Sequence, residues 1–159
     1  MKVLVTYFTA SFGNTKKIAE KIANALDADI KEIEPQELYT KADLNWMDKN
    51  SRSTLEMQDL SSRPAIKNTI SITSYDVIFV GYPVWWYQEP TIIDTFLESQ
   101  DFKGKVVVPF ATSGSSPMGN KAIENFKRLC PGSTVKEGRV IKMKESDEDI
   151  ASWARKIVE

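Results

Sequence analysis

A chain of 159 residues has the length of one domain with a substantial core. Its 21 basic and 22 acidic residues nearly cancel and are interleaved, which argues against a nucleic-acid groove or a polybasic membrane patch. With no histidine and a single cysteine, Cys130, it offers no internal disulfide, no cysteine zinc cluster, no Ser–His triad and no histidine base, so chemistry here falls to a cofactor.

In chain order, residues 3–8 (VLVTYF) are almost uniformly apolar β-formers, as in a strand buried on both faces of a parallel sheet. The polar TASFGNT follows. A helix comes next, with Ile18, Ile22 and Leu26 every four residues beside Ala19, Ala23 and Ala25. Residues 28–33 read as a second strand. The stretch 34–72 is irregular and polar, yet Leu44, Trp46, Leu55, Met57 and Leu60 interrupt it. A disordered linker seldom carries so many large apolar groups, so a partly helical excursion packed on the body is expected. Residues 76–81 form a third strand, which runs into the aromatic loop VGYPVWWYQEP.

Residues 91–97 read as a helix with Pro90 in its first turn. Residues 105–110 read as a fourth strand, and TSGSSPMG, residues 112–119, as a loop. Ala122, Ile123, Phe126 and Leu129 mark a further helix, after which Cys130 reads as a small packed hydrophobe. A fifth strand is expected within 135–143, centred on 139–142. Ser146 with Asp149 then starts a final helix carrying Ile150, Trp153, Ala154 and Ile157.

This alternation implies a single domain over 1–159, an α/β fold with a doubly wound five-stranded parallel sheet in strand order 2-1-3-4-5. Such sheets bind ligands beyond the carboxyl ends of their strands, at the switch between strands 1 and 3. Three loops meet there: 9–15, 83–89 and 112–119. In the first, the hydroxyls of Thr9, Ser11 and Thr15, the glycine Gly13 and the free amides of the following helix suit an anion such as a phosphate. A plain N-cap by Ser11 or Asn14 fits the same residues equally well. In the second, Tyr82, Trp85, Trp86 and Tyr87 offer flat walls for a planar ring, with one tryptophan expected to face the core. In the third, Ser113, Gly114, Ser115 and Ser116 present a small polar rim. No GxxxxGK[ST] or GxGxxG string is present, no aspartate ends strand three, and no cysteine lies in the first loop. Nest, wall and rim together suit a monophosphate on a planar, polar-edged ring.

The stretches YFTASFGNTKKIAEKIA, DLNWMDKNSRSTLEMQD, YDVIFVGYPVWWYQEPTIIDTFLE and DFKGKVVVPFATSGSSPMGN resemble, in order and spacing, the short-chain flavodoxin-like family of FMN-binding proteins, in particular its branch with a GYPxWW loop. The resemblance implies FMN as cofactor. It assigns Thr9, Ser11, Gly13, Asn14 and Thr15 to the FMN phosphate, Pro83, Val84, Trp85 and Trp86 to the face and edge of the ring, and Thr112, Ser113, Gly114 and Ser115 to its far edge. Two departures stand out. Phe12 lengthens the first loop by one residue, and Tyr87 takes a place that is often glycine. Because no glycine lies between Pro83 and Pro90, weak stabilisation of the one-electron-reduced flavin is expected, and with it two-electron chemistry.

The resulting expectation is a cytoplasmic FMN-dependent oxidoreductase with no catalytic side chain of its own. Its electrons come from a reduced pyridine nucleotide or a reductase and pass to a quinone-like small acceptor. An electron carrier to a protein partner is the alternative, and a flavin-free domain with an aromatic docking patch is a third reading. No run approaches about 18 apolar residues, so no membrane span is expected. No nucleic-acid partner is expected, and a homodimer stays open. Arg52 and Arg63 read as solvated surface charges rather than partners of acids.

Overall fold

The computed structural model describes residues 1–10, 12–113 and 117–159. Its elements run β1 (Val3–Tyr7), α1 (Asn14–Leu26), β2 (Asp29–Glu32), α2 (Arg52–Gln58), β3 (Val77–Pro83), α3 (Thr91–Glu98), β4 (Val106–Thr112), α4 (Asn120–Leu129), β5 (Thr134–Val135), β6 (Arg139–Ile141) and α5 (Asp147–Val158). The sheet is parallel with order β2-β1-β3-β4-β5, and β6 also pairs with β4. This is the expected 2-1-3-4-5 winding.

The central strands are apolar on both faces because both are covered. Ile78, Val80 and Tyr82 of β3 face α3 and α4, packing with Ile92, Phe96, Ala122 and Phe126. Val77 and Phe79 face α1 and α5, packing with Ile18, Ile22, Ile150 and Ala154. Gly81 is dictated by its neighbour on β4, since a Cβ there would stand 2.2 Å from the Phe110 ring.

The fifth strand position departs from expectation. Two short strands, β5 and β6, occupy it and are separated by three residues. Between Val107↔Val135 and Phe110↔Arg139 the edge chain uses one residue more than β4 does, which makes a bulge. Val107 turns its carbonyl to this edge and accepts from the Lys136 amide at 2.9 Å. Pro109, two residues on, faces the same edge and has no N–H to give.

The excursion between β2 and β3 is ordered and tied to the body. Pro35 bridges Ile66 in antiparallel fashion. Asn68 donates to the Glu32 carbonyl at 2.8 Å and accepts from the Glu34 amide at 3.0 Å. The Ser62 hydroxyl donates to Thr91 Oγ1 at 2.8 Å, which joins the excursion to the start of α3.

Candidate functional site

The carboxyl ends of β1, β3 and β4 lie side by side, and the loops beyond them are joined to one another. The Phe8 amide donates to the Gly81 carbonyl and the Val84 amide to the Thr112 carbonyl, each at 3.0 Å. Thr15 in the first turn of α1 and Thr112 at the end of β4 share a buried hydroxyl hydrogen bond of 2.7 Å. At Gly119, with φ 75°, a Cβ would stand 2.7 Å from the Tyr87 carbonyl oxygen. The loop after β4 thus passes the loop after β3 at a distance that only glycine allows.

Helix α1 opens with Gly13 as its N-cap, at φ 72° and ψ 28°. Asn14 is the first helical residue rather than the cap, and the Ser11 alternative lies outside the described residues. Thr9 Oγ1 accepts from the Lys16 amide at 3.4 Å, a long contact. No acid lies in the first turn, while Lys16 and Lys17 there are exposed. Apart from Thr9, no side chain among the described residues caps this start, and the positive end of the dipole and two cations lie together there, the features an anion site uses. Phe12, the extra residue, is 87% exposed beside it.

The loop after β3 is a two-residue hairpin turn. Trp85 and Gln88 exchange both backbone hydrogen bonds, at 3.0 and 3.1 Å, and the two residues between them have positive φ: Trp86 at 48° and Tyr87 at 64°. Such turns favour Asn-Gly, and a side chain in this region costs on the order of 1 kcal/mol. The anchors on either side offset that cost. Trp85 packs edge-on against Phe8 at 5.7 Å and Tyr39 at 5.5 Å, while Gln88, Glu89 and Pro90 are buried. The turn therefore holds Trp86, 43% exposed, and Tyr87, 63% exposed, out from the body.

Beside this turn opens a slot of about 550 Å³. Val84, Trp85, Trp86 and Tyr87 line one side, and Leu44, Trp46 and Ser53 from the excursion line the other. The excursion wall is braced from behind. The Arg52 guanidinium lies 3.7 Å from the centre of the Tyr39 ring, its Nε donates to Glu56 Oε2 at 3.0 Å, and its Nη1 donates to the Glu37 carbonyl at 2.8 Å. The Tyr39 hydroxyl donates to Glu56 Oε1 at 2.6 Å. Burial first, then this carboxylate, hold the Tyr39 phenol far above its ordinary range.

Below the turn, Glu89 and Asp94 form a buried acid pair. Asn125 Nδ2 donates to both Glu89 oxygens, at 3.2 and 3.1 Å, and Arg63 Nη1 stands 4.0 Å from Asp94 Oδ2. Burial and the Asp94 carboxyl push Glu89 up to about 9; burial also raises Asp94, against the pull of Arg63 and Arg128. At neutral pH the pair keeps a proton, because two adjacent buried carboxylates cannot both ionise.

A flavodoxin family model matches residues 2–157. The chain belongs to the flavodoxin family. A Bacteroides eggerthii protein assigned as a flavoprotein is 45% identical, with 99% of this chain and 98% of that one covered and a TM-score of 0.90. A Lactobacillus acidophilus flavoprotein solved in complex with FMN is 27% identical over 96% and 98% of the chains, with a TM-score of 0.70. Oxidised flavodoxin 2 of Bacillus cereus, 20% identical over 99% and 98% with a TM-score of 0.61, shares the fold. No curated protein matches the chain.

Within this flavodoxin the residues singled out from sequence fall into place unevenly. Thr9, Gly13, Asn14 and Thr15 lie together at the start of α1, with Thr15 turned toward Thr112. Pro83, Val84 and Trp85 are half-buried, Trp86 is exposed, and Ser113 is half-buried after β4. Ser11, Gly114, Ser115 and Ser116 lie outside the described residues. Tyr82 is not part of the aromatic wall. It is fully buried on the α3–α4 face, with its ring 6.0 Å from Phe126, because strand alternation turns it under the sheet. Arg52 and Arg63 are not solvated surface charges: the first is engaged with Glu56, the second donates to Glu98 at 2.7 Å. Cys130 is buried and its thiol is pushed up to about 12 by that burial, as befits a packed hydrophobe. Sequence reasoning missed Ser53 as a slot wall and Glu89 and Asp94 as a pair. For the slot, Leu44 and Trp46, large apolar groups in a polar stretch, were the visible signal.

Proposed function

We propose that this chain binds FMN beyond β1, β3 and β4 and transfers electrons through it, as an oxidoreductase acting on a quinone-like small acceptor. Thr9, Ser11, Gly13, Asn14 and Thr15 hold the phosphate. Pro83, Val84, Trp85 and Trp86 meet the ring, and Thr112, Ser113, Gly114 and Ser115 meet its far edge. The observation that carries the reading is the start of α1, an acid-free, glycine-capped helix end with two lysines, set beside an aromatic turn held outward. Dianion and flat ring need these two features side by side.

Bound FMN supplies the redox chemistry, accepting and releasing electrons at its ring system. The protein's own residues bind and orient. The amides at the start of α1 would hold the phosphate, the Trp85–Gln88 turn would present its aromatic side chains to the ring, and the Thr15–Thr112 bond ties the start of α1 to the end of β4. The turn is closed by two backbone hydrogen bonds and has aromatics at both central positions, so it resists reorientation and favours two-electron transfer. A reduced pyridine nucleotide or a reductase supplies the electrons.

The test is an anaerobic reductive titration of the protein loaded with FMN. A flavin band near ~450 nm, typical of oxidised flavin, should bleach without a long-lived one-electron-reduced form. A protein that leaves added FMN free in solution, or that accumulates a blue intermediate, contradicts the binding and the two-electron parts respectively. Exposed Trp46, Met47 and Tyr87 favour a second reading, an electron carrier docking a protein through this face. Rapid NADPH oxidation with a quinone and no added reductase separates the two in favour of the enzyme.

A further inference from the structure

The turn after β3 is strained and needs fastening at both ends. Trp86 and Tyr87 hold positive φ, and the backbone bonds between Trp85 and Gln88 close the turn without tying it to the body. Trp85 is fastened by its packing on Phe8 and Tyr39. On the other side a single residue, Glu89, separates Gln88 from Pro90, the N-cap of α3, and its side chain is fully buried. Asn125 of α4 donates to both Glu89 carboxyl oxygens. Arg128 Nη2 donates to Asn125 Oδ1 at 3.3 Å, which turns the amide so that its N–H groups face Glu89.

This fastening has a condition. Glu89 is hydrogen-bonded to Asp94 of α3, which is itself buried. The cations around the pair are only partly available to it. Arg63, from the excursion, stands 4.0 Å from Asp94 Oδ2 while its Nη2 is bonded to Glu98 of α3, and Arg128 is bonded to Asn125. Asp94 Oδ1 has no hydrogen-bond partner among the described residues. Tyr82 of β3 lies buried near both acids; burial first, then Glu89 and Asp94, raise its phenol well above its ordinary range, so it adds no charge. Two carboxyls in one buried space without a full counter-charge keep a proton between them.

We propose that Glu89 and Asp94 are positioning residues for the flavin: their shared proton fastens the turn after β3, and its loss frees the turn and weakens FMN binding. The inference rests on the FMN reading above, and the pair acts through the turn rather than on the ring. With the turn fastened, burial and Asp94 hold Glu89 up to about 9; with the turn released into water, Glu89 returns to its ordinary 4.5. Between those limits fastening takes up a proton, so it is strongest below pH ~4.5 and is lost as pH rises through ~9. FMN affinity stays level while the fastened turn predominates and falls once the released one competes, because a ligand that needs one conformer binds in proportion to its population.

FMN affinity, read by flavin fluorescence across this range, tests the anchor. The parent should bind about tenfold more weakly at pH ~9.5 than at pH ~7.5, within the limit of tenfold per pH unit that one proton sets. Glu89→Gln keeps an acceptor for Asn125 and a donor for Asp94 and has no proton to lose, so its affinity should change less than about twofold. Asp94→Asn removes the neighbouring charge but leaves Glu89 buried, and should shrink the fall without abolishing it. The ring N–H of FMN ionises at alkaline pH with every variant alike, so the difference between variants is the measure. An equal fall in the parent and E89Q overturns the proposal, and so does a parent with no fall. Fluorine NMR of the FMN-free, fluorotryptophan-labelled protein reads the turn directly, with Trp85 and Trp86 assigned by Trp85→Phe and Trp86→Phe. If the protein takes up no FMN at any pH, the functional reading fails by itself and these signals decide the anchor. An alkaline transition at Trp85 and Trp86 that E89Q abolishes upholds it, and signals that stay still, or move alike in both proteins, overturn it.

Discussion

Helices α1 and α5 pack on the same face of the sheet and begin in opposite ways. At α5, Ser146 caps the helix by accepting from the Asp149 amide at 3.1 Å, and Asp147, Glu148 and Asp149 fill the first turn. At α1 the cap is glycine, the first turn holds no acid, and two lysines sit there instead. The first end answers its own dipole and orphan amides. The second shows no such side-chain answer among the described residues, and the first acid of α5, Asp147, is engaged with Lys21, deeper in α1, at 2.9 Å. An open helix start is uninformative in isolation. Next to a capped one of the same face, and beside an aromatic turn, it supports the proposal that an anion binds there.

Making α1 resemble α5 should break the comparison with the largest effect. Asn14→Asp places a carboxylate at the first helical position. It should stabilise the free helix by ~0.3–1 kcal/mol through the dipole. Against a bound dianion the same charge costs several times more, since unit charges about 4 Å apart at a protein surface interact by ~4 kcal/mol. FMN affinity should fall at least a hundredfold (about 2.7 kcal/mol) while the melting temperature holds or rises. Parallel fluorescence and melting measurements read both. Equal FMN affinity in the variant would mean that the phosphate is held elsewhere.

Helix α3 sharpens the contrast with a third kind of start. It too has an acid in its first turn, but Asp94 is buried and shares its space with Glu89. Here the acid carries a penalty. The folded protein holds Glu89 up to about 9 against an ordinary 4.5, so between those limits the folded state retains a proton that the unfolded chain releases. Stability from this group is complete below pH ~4.5 and is lost as pH rises through ~9. Glu89→Gln keeps an acceptor for Asn125, adds a donor for Asp94 and removes the penalty. Its melting temperature should exceed the parent's by ~4 °C at pH 8, of the order expected from one or two kcal/mol in a chain of this size, and should match the parent's at pH 4. A difference independent of pH would show that the pair ionises normally.

These contrasts also show what the sequence makes legible. Strands β1, β3 and β4 stand out because burial on both faces demands unbroken apolar runs, and their order follows from alternation with helices. The same uniformity hides which face each residue takes, so Tyr82 passes for part of the aromatic loop when it is core. The split between β5 and β6 has one sign in residues 134–141, Gly138, which sits between the two strands at φ 70°. Its counterpart, Pro109, which has no N–H to give, sits on the neighbouring strand, where a Cβ at position 138 would stand 2.2 Å from its carbonyl oxygen. The start of α1 reads as anion nest or plain cap in the sequence, and only the backbone puts Gly13, rather than Asn14, at the cap position. The slot is hardest of all, because Leu44 and Trp46 meet Trp86 only through a fold that brings residues some 40 apart together. No local period encodes that meeting.

The smallest effect comes from dismantling the closed end. Ser146→Ala removes the hydroxyl that accepts from the Asp149 amide and leaves that donor to water. Loss of such a cap costs about 1 kcal/mol, or a melting temperature lower by ~3 °C in a domain of this size. The three first-turn acids still answer the dipole, so the helix itself should persist. FMN affinity should not change, because α5 supports α1 through Ile150 and Ala154 in the core and through Lys21, not through its own start. Together with Asn14→Asp this separates the two helix ends by sign. One variant lowers stability and spares the ligand, and the other spares stability and loses it. If Ser146→Ala weakens FMN as strongly as it weakens the fold, the two helix starts are coupled, and the open end of α1 owes its ligand to the stability of the domain as a whole.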